Sequence, residues 1–230
     1  MDSIDRIFVI NCKHRTDRLE SIRRELTKLG VWEKTEIIEA TYDPENRPAG
    51  CAYSQYRAIG LATPYKRVMI LEDDAIFLVP PETFNDYLQR FWDYAKDAWD
   101  MLFFGSFCQW NWDHQDLSQT FCVRPFCLNH ATGYVINCSY YKTMRTFFRT
   151  SYEMLKLTGE GKYSPDSMWN PLVVRDKWYV FTTKLAGQAS NYSDIQKVHM
   201  PGGHEGVGLN LEKERAYEGP DQSHTKEEVS

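Results

Sequence analysis

The feature that most constrains this chain is a short apolar run that ends in three adjacent carboxylates, at residues 67–77 (RVMILEDDAIF). Residues 68–71 are aliphatic and do not alternate with polar ones, a pattern typical of a strand covered on both faces in a sheet flanked by helices. Glu72, Asp73 and Asp74 follow at the carboxyl end of this strand. Because neighbouring negative charges repel each other and lose hydration on burial, they must be solvated, hydrogen-bonded or neutralised by a cation.

The residues alone leave two interpretations of this acidic triplet open. A solvated acidic turn requires no ligand. A site for Mg²⁺ or Mn²⁺ uses the same carboxylates, because hard oxygen ligands suit both ions, especially where a phosphorylated substrate shares the ion.

The rest of the chain alternates predicted strands with predicted helices. Apolar runs predict strands at 6–10, 35–40, 101–104, 133–137 and 178–182, and helical spacing predicts helices at 17–29, 50–62, 84–95 and 139–149. Residues 107–129 are expected to form loops or a short hairpin near the site. This alternation predicts a three-layer α/β fold with a mainly parallel central sheet flanked by helices. We expect one domain over residues 1–204 and a disordered tail over 205–230, where apolar residues become scarce.

Charge and composition favour small-molecule or saccharide partners. A net charge of −5 and a pI of about 5.7 argue against a dedicated nucleic-acid-binding protein. No apolar run approaches the roughly 18–20 residues that span a bilayer, so no transmembrane segment is expected, while peripheral membrane contact stays open. Charges interrupt the sequence after Met1, and the six cysteines contain no C-x-x-C pair. We therefore expect no secretory signal, free thiols and a cytoplasmic location.

A basic cluster follows the first predicted strand. Lys13, Arg15 and Arg18 lie in the segment CKHRTDR, and α/β folds bind nucleotides at the carboxyl end of this strand. Asp17 with Glu20 three positions later is typical of a helix-capping pair, which is a purely structural interpretation of Asp17.

Four blocks of the sequence together resemble the family-25 glycosyltransferases, which include bacterial lipooligosaccharide galactosyltransferases and procollagen galactosyltransferases. The blocks are VINCKHRTDRLESIRREL, GCAYSQYRAI, RVMILEDDAIF and SDI at 193–195, in the family's order and at similar spacing. The resemblance implies a GT-A type nucleotide-sugar-binding fold and inverting transfer of a hexose, galactose or alternatively glucose, from a UDP-sugar to a saccharide or another hydroxyl-bearing acceptor. It also implies a divalent ion, Mn²⁺ or Mg²⁺, between the donor diphosphate and the acidic triplet, and a role in glycan or lipopolysaccharide biosynthesis.

The resemblance also implies roles for individual residues. Glu72 and Asp74 would be metal ligands, and His199 would complete the metal site by analogy with the fold, an exposed loop histidine being the alternative. Asp166 in SPDSMWN is similar to the family's P-x-D segment and would be the general base, the alternative being a turn or N-cap aspartate beside Pro165. The residues that would surround the donor are Asn11, Arg15, Asp17, Arg18, Ser54, Arg57 and Asp73.

Some positions depart from the family's pattern. Gln55 stands where the family usually has His, and HATGY at 130–134 matches the family's G-T-x-A-Y only loosely. These departures leave room for a second function, a catalytically silent nucleotide-sugar or glycan-binding module. Metal-dependent phosphoryl transfer or nuclease activity is disfavoured, because the sequence contains no Walker-type phosphate loop and no histidine-based nuclease motif.

Trp169 and Asn170, close to Asp166, are candidates for contact with the acceptor sugar.

Overall fold

The computed structural model of the 230-residue chain describes residues 1, 3–105, 120–129 and 132–189, and the backbone of 107–109, 191–193 and 198–200. The expected disordered tail over 205–230 lies outside these residues, as do the first two positions of the HATGY block. No helix within the described residues is both long enough and apolar enough to cross a membrane.

Strands and helices alternate along most of the chain, as the sequence predicts. The strands are β1 (Arg6–Asn11), β2 (Thr35–Glu39), β3 (Arg67–Glu72), β4 (Ala75–Phe77), β5 (Met101–Phe103), β6 (Phe107–Gln109), β7 (Cys122–Val123), β8 (Cys127–Asn129), β9 (Gly133–Asn137), β10 (Trp178–Phe181), β11 (Ala186–Gln188), β12 (Asn191–Ser193) and β13 (Val198–Met200). The helices are α1 (Thr16–Lys28), α2 (Arg47–Leu61), α3 (Pro81–Ala95), α4 (Tyr141–Thr158), α5 (Pro165–Met168) and α6 (Asn170–Arg175).

A seven-stranded sheet in the order β2-β1-β3-β9-β5-β10-β7 forms the centre of the fold. Strands β1, β2, β3, β5 and β10 run in one direction, and β7 and β9 run in the other. The prediction of a mainly parallel sheet flanked by helices is therefore confirmed. The position of β9 between β3 and β5, antiparallel to both, could not be predicted, because hydrophobic periodicity carries no information on strand direction.

Helices cover both faces of the central strand β3, so its side chains are buried on each side. Met69 and Leu71 belong to one core with α1 and α3, and Val68 and Ile70 belong to the other with α2 and α4. All four of these side chains are 0% exposed. Burial of each contributes about 1.5–3 kcal/mol to stability, which explains the continuous apolar run.

The chain turns at Asp73 and Asp74, directly after β3, and the apolar residues beyond them form the separate strand β4. β4 pairs antiparallel with β11 in a small two-stranded sheet, where Ala75 is opposite Gln188. The main-chain N–H of Ala189 donates to the carbonyl of Asp74 at 2.8 Å, which closes this turn. The triplet therefore lies between the end of the large sheet and the start of the small one.

The expected helix cap at Asp17 is wrong. α1 begins with Arg15 at its N-cap and has no side-chain cap, because the Asp17 carboxylate binds the guanidinium of Arg15 instead. Asn137 caps the turn before α4, and its side chain accepts from the main-chain N–H of Ser139. α4 then continues to Thr158 and ends at Gly159, whose φ of +70° is favourable for glycine.

Candidate functional site

The carboxyl ends of β1 and β3 meet at one edge of the sheet and bring Asn11 and Asp73 together. The two strands are parallel neighbours, with Ile10 opposite Glu72. Asn11 Nδ2 donates to Asp73 Oδ2 at 2.8 Å and to the carbonyl of Arg15 at 3.2 Å. Both Asn11 and Asp73 are buried, so this contact fixes the loop after β1 against the acidic triplet.

Arg18, in the first turns of α1, lies against two of the three carboxylates. Its Nη1 atom is 2.9 Å from Asp73 Oδ1 and 3.1 Å from Asp74 Oδ2. The three side chains are only 8–13% exposed, so the attraction is screened less than at the surface. The basic cluster after the first strand therefore supplies an internal positive charge to the triplet.

The Asp74 carboxylate is only half satisfied. Asp74 Oδ2 faces Arg18, but Asp74 Oδ1 is buried and has no hydrogen-bond partner. Burial raises the pKa of Asp74 to about 6, although the positive charge of Arg18 lowers it. A buried carboxylate oxygen without a partner costs free energy, so this atom marks a place where a ligand would stabilise the protein.

Glu72 is half-buried near Asp74, and its described side-chain donor is Gln188. Gln188 Nε2, on β11, donates to Glu72 Oε2 at 3.0 Å. Burial raises the pKa of Glu72 to about 8, and the negative charges of Asp74 and Asp73 add to this effect. The carboxyls of Glu72 and Asp74 therefore keep their protons to a higher pH than free carboxyls do.

The residues present fit a hard divalent cation. The unpartnered oxygen of Asp74 and the carboxylate of Glu72 are the ligand type that Mg²⁺ and Mn²⁺ prefer. Among the described side chains, no group of three or more His, Cys, Asp and Glu converges on one point. The protein would thus supply few ligands, leaving the others to water and phosphate oxygens, as is common for these ions. His199 is opposite Tyr192 in the β12–β13 pair, and its side chain lies outside the described residues.

Arg15 and Asp17 form a pair at the rim of the site. Arg15 Nε and Nη2 donate to the two oxygens of Asp17 at 3.0 and 2.9 Å. This contact holds the pKa of Asp17 at about 2, so the carboxylate is ionised at neutral pH. The charge of Arg15 also lowers the pKa of Asp74, which places Arg15 within electrostatic reach of the triplet.

The structure places Ser54 and Arg57 on α2, where both contact the end of β2 or the loop after it. Ser54 is 1% exposed, and its Oγ donates to the carbonyl of Gly50 and accepts from the main-chain N–H of Thr41, both at 2.8 Å. Arg57 is exposed and donates to the carbonyl of Glu39 at 3.1 Å. Neither residue has a hydrogen bond to the acidic triplet in the described structure.

Gly50 allows α2 to approach the loop after β2 closely. A Cβ atom at this position would lie 2.4 Å from the Thr41 carbonyl oxygen. The glycine of the GCAYSQY block therefore has a steric reason, which is the packing of the first turns of α2 against this loop.

Asp166 lies in the first turn of the short helix α5. Ser164 is the N-cap of α5, so the N-cap interpretation of Asp166 is wrong. The charges of Glu72 and Asp166 both raise the pKa of the Cys51 thiol on α2, after the larger effect of burial. Both carboxylates are therefore within electrostatic reach of the same thiol. The Asp166 carboxylate has no hydrogen-bond partner among the described residues.

Trp169 and Asn170 support strand β8. Because Trp169 is fully buried, the expectation that it contacts an acceptor sugar is wrong; for the partly exposed Asn170 this contact stays a prediction. Trp169 is 0% exposed, and its Nε1 donates to the carbonyl of Leu128 at 2.7 Å. Asn170 Oδ1 accepts from the main-chain N–H of the same residue at 2.9 Å. The main-chain N–H and carbonyl of Leu128 are thus both bonded, which holds β8 against the start of α6.

Sequence reasoning missed a buried polar pair in this part of the fold. The hydroxyl of Tyr134, on β9, donates to Gln55 Oε1 at 2.7 Å, and Gln55 is 2% exposed. Burial raises the pKa of Tyr134, so its hydroxyl stays protonated and donates. Gln55 therefore positions the Tyr134 hydroxyl. The unmatched Gln in the second block was the one signal for this contact.

Comparisons with known proteins support the fold and do not identify a family. No protein-family model and no curated protein matches the chain. A glycosyltransferase involved in the glycosylation of the major capsid of PBCV-1 is similar in structure, with a TM-score of 0.50 and 9% identity, over 84% of this chain and 96% of that one. A197 from STIV has a TM-score of 0.45 at 13% identity, covering 85% and 92% of the two chains. GlyE, a glycosyltransferase of Streptococcus pneumoniae TIGR4, has a TM-score of 0.44 at 10% identity, covering 77% and 45%.

At these identities the likeness extends to the fold alone. The chain has a mixed α/β, GT-A-like fold with a mostly parallel central sheet flanked by helices. The resemblance to family 25 stays a prediction.

Proposed function

We propose that this protein is a glycosyltransferase that moves a hexose, with galactose the first choice, from a UDP-sugar to a hydroxyl-bearing acceptor with inversion, and that Mn²⁺ or Mg²⁺ is required. The observation that carries the proposal is the half-satisfied carboxylate of Asp74. Its Oδ1 atom is buried without a partner at the sheet edge where α/β folds bind nucleotides.

The internal charge of Arg18 does not remove the need for a further cation. Arg18 lies against Asp73 and Asp74, but Glu72 adds a third carboxylate and has an amide donor, Gln188, as its described partner. A positively charged group beside Asp74 and Glu72 would offset the free-energy cost of burying the two carboxylates and of their mutual repulsion.

In this proposal the residues around Asp73 act as a rigid support. Asn11 and Arg18 together bind both oxygens of Asp73, which fixes the main chain on the N-terminal side of Asp74. A divalent ion held by Asp74 and Glu72 would offset the negative charge that develops on the leaving UDP as the glycosidic bond breaks. Arg15, oriented by Asp17 at the rim, would attract the donor phosphates through its positive charge.

Asp166 is the proposed general base. An inverting transfer requires a group that takes the proton from the acceptor hydroxyl as its oxygen attacks the anomeric carbon. Asp166 has a carboxylate without a described partner, and its charge, like that of Glu72, reaches the Cys51 thiol. The expected roles in lipopolysaccharide biosynthesis and in the cytoplasm stay predictions from the sequence.

A catalytically silent nucleotide-sugar-binding module is the second candidate, and the position of Arg18 favours it. A guanidinium that already offsets part of the charge of Asp73 and Asp74 would reduce the need for a metal when a nucleotide binds. Gln55, which does not titrate, fits the same view, since the family usually has His at this position.

Release of UDP from UDP-galactose and UDP-glucose distinguishes the two candidates. The glycosyltransferase should release UDP slowly to water, and faster with an acceptor, in Mn²⁺ but not in EDTA. Nuclear magnetic resonance of the product should show the anomeric configuration inverted. Donor binding without turnover across a panel of donors and acceptors would support the silent module.

A further inference from the structure

Two aromatic rings from different loops meet at the surface beside the candidate site. His14 lies between β1 and α1, and Tyr42 lies between β2 and α2; their ring centroids are 5.4 Å apart, with the planes at 76°. Tyr42 keeps 49% of its surface exposed. The core therefore does not require this ring, and a large part of it is available to a ligand.

The Tyr42 ring is held in place by its surroundings. Arg47 lies over it, with the guanidinium carbon 5.6 Å from the ring centroid, and Arg47 Nη2 donates to the Tyr42 hydroxyl at 3.3 Å. The two residues before Tyr42 are fixed by hydrogen bonds of 2.8 Å, from Ala40 N to the carbonyl of Asn11 and from Thr41 N to Ser54 Oγ. A ring fixed in this way loses little entropy when it binds a ligand.

The two rings lie next to the residues that contact the acidic triplet. Asn11, which accepts from Ala40, is the same residue that donates to Asp73. His14 directly precedes Arg15, whose charge reaches Asp74. The aromatic pair and Arg15 therefore lie in the two loops that follow β1 and β2, and Asn11 links these loops to the acidic triplet.

We propose that His14 and Tyr42 form the nucleobase subsite of the donor, with the base stacked on the exposed part of the Tyr42 ring. The proposal rests on the proposed function, because it requires a nucleoside diphosphate whose phosphates lie near Arg15 and Arg18. Every base has a π face, so stacking on Tyr42 provides affinity for a nucleoside without selecting one base. Ser54 and Asn11 then act as positioning residues that hold the platform.

Calorimetric titration of UDP and of pyrophosphate, each with Mn²⁺, tests the subsite in the wild type, Tyr42→Leu and Tyr42→Phe. Tyr42→Leu should lower the affinity for UDP by about tenfold or more, because it removes a stacking surface. Pyrophosphate, which has no base, should bind within about twofold of the wild type. Tyr42→Phe keeps the ring and loses only the hydroxyl contact with Arg47, so its affinity for UDP should change by less than about twofold.

Equal affinity of Tyr42→Leu and the wild type for UDP would overturn the subsite. An equal loss of affinity for UDP and for pyrophosphate in Tyr42→Leu would overturn it too, since this result indicates a disturbed loop rather than a lost base contact. A Tyr42→Leu variant that binds UDP normally but needs more acceptor would assign the ring to the acceptor instead. If the wild type binds no nucleoside diphosphate, the proposed function fails and the subsite fails with it, a result distinct from the other three.

Discussion

Arg18 Nη1 lies 3.1 Å from Asp74 Oδ2, while the other oxygen of the same carboxylate is buried without a hydrogen bond. One carboxylate therefore has one oxygen that is neutralised within the protein and one that is not. A solvated acidic turn would leave both oxygens in water. The arrangement instead resembles a ligand site in which Arg18 holds one oxygen of Asp74 and the other oxygen is left for a ligand.

Removal of Arg18 should destabilise the protein in a pH-dependent way. Arg18→Met leaves Asp73 and Asp74 buried without their countercharge, and we expect a loss of about 2–4 kcal/mol at pH 8. The loss should be smaller at pH 5, because protonation of Asp74 removes one of the uncompensated charges. Chemical denaturation at the two pH values measures this difference. Arg24→Met, at an exposed position of the same helix, is the control and should have little effect; an equal loss at both pH values would contradict the prediction.

The metal-free protein should lose stability as the pH rises from 5 to 8. The pKa of Glu72 is raised from 4.5 to about 8 and that of Asp74 from 3.8 to about 6, so the folded state holds protons that the unfolded chain releases. Stability is then highest below the unfolded values and falls as the pH rises through the folded ones. Asp17, with its pKa lowered to about 2, acts in the opposite direction and only at lower pH.

Melting temperatures in EDTA between pH 5 and pH 8 check this prediction. Glu72→Gln should flatten the dependence, because it removes the group with the larger shift and keeps the hydrogen-bonding shape. Glu82→Gln, at an exposed position of α3, should leave the slope unchanged. A wild-type melting temperature that rises steadily over this range would show that the two carboxylates are solvated.

The buried pair Gln55 and Tyr134 should behave as a coupled unit. Tyr134→Phe leaves Gln55 Oε1 without its donor and should cost about 1–3 kcal/mol, and Gln55→Leu should cost a similar amount. The double variant should lose less than the sum, because no buried polar group is then left unpaired. Urea unfolding of the four proteins measures the coupling, and strict additivity would show that the hydrogen bond contributes nothing.

Replacement of Asp166 should separate binding from catalysis. Asp166→Asn should bind UDP as the wild type does, and its rate of sugar transfer should fall by about 10²-fold or more, because a general base is lost. Calorimetry and a rate assay on the same variant test this. Asp86→Asn, whose side chain is 65% exposed on α3, is the matched control. Near-normal turnover of Asp166→Asn would remove this residue from the role.

The order of elements and the place of the site could largely be predicted from the sequence. The run before Glu72 reports a strand buried on both faces, and the position of Asn11 at the end of the first strand places it beside the triplet if the two strands are parallel neighbours. They are, and Asn11 contacts Asp73. Because β1 and β3 are parallel neighbours, the end of the first strand and the acidic triplet lie together in one site.

The partners contributed by distant or unpatterned residues could not be predicted. Gln188 donates to Glu72 across 116 residues, from a three-residue strand with no distinctive pattern. The capping interpretation of Asp17 was wrong because Arg15, two residues before it, competes for its carboxylate. Trp169 was expected in a sugar site because aromatic residues also stack on sugars, but its indole N–H donates to a buried carbonyl.

The most direct test of the account is the coupling between UDP and Mn²⁺ at Asp74. Calorimetric titration of UDP into the wild type and Asp74→Asn, each in Mn²⁺ and in EDTA, gives four affinities. If Asp74 binds the ion that faces the diphosphate, Mn²⁺ should raise the affinity of the wild type for UDP, and UDP should raise the affinity for Mn²⁺ by the same factor. Asp74→Asn should remove this coupling while the protein stays folded. Equal UDP affinity under all four conditions would contradict the metal site.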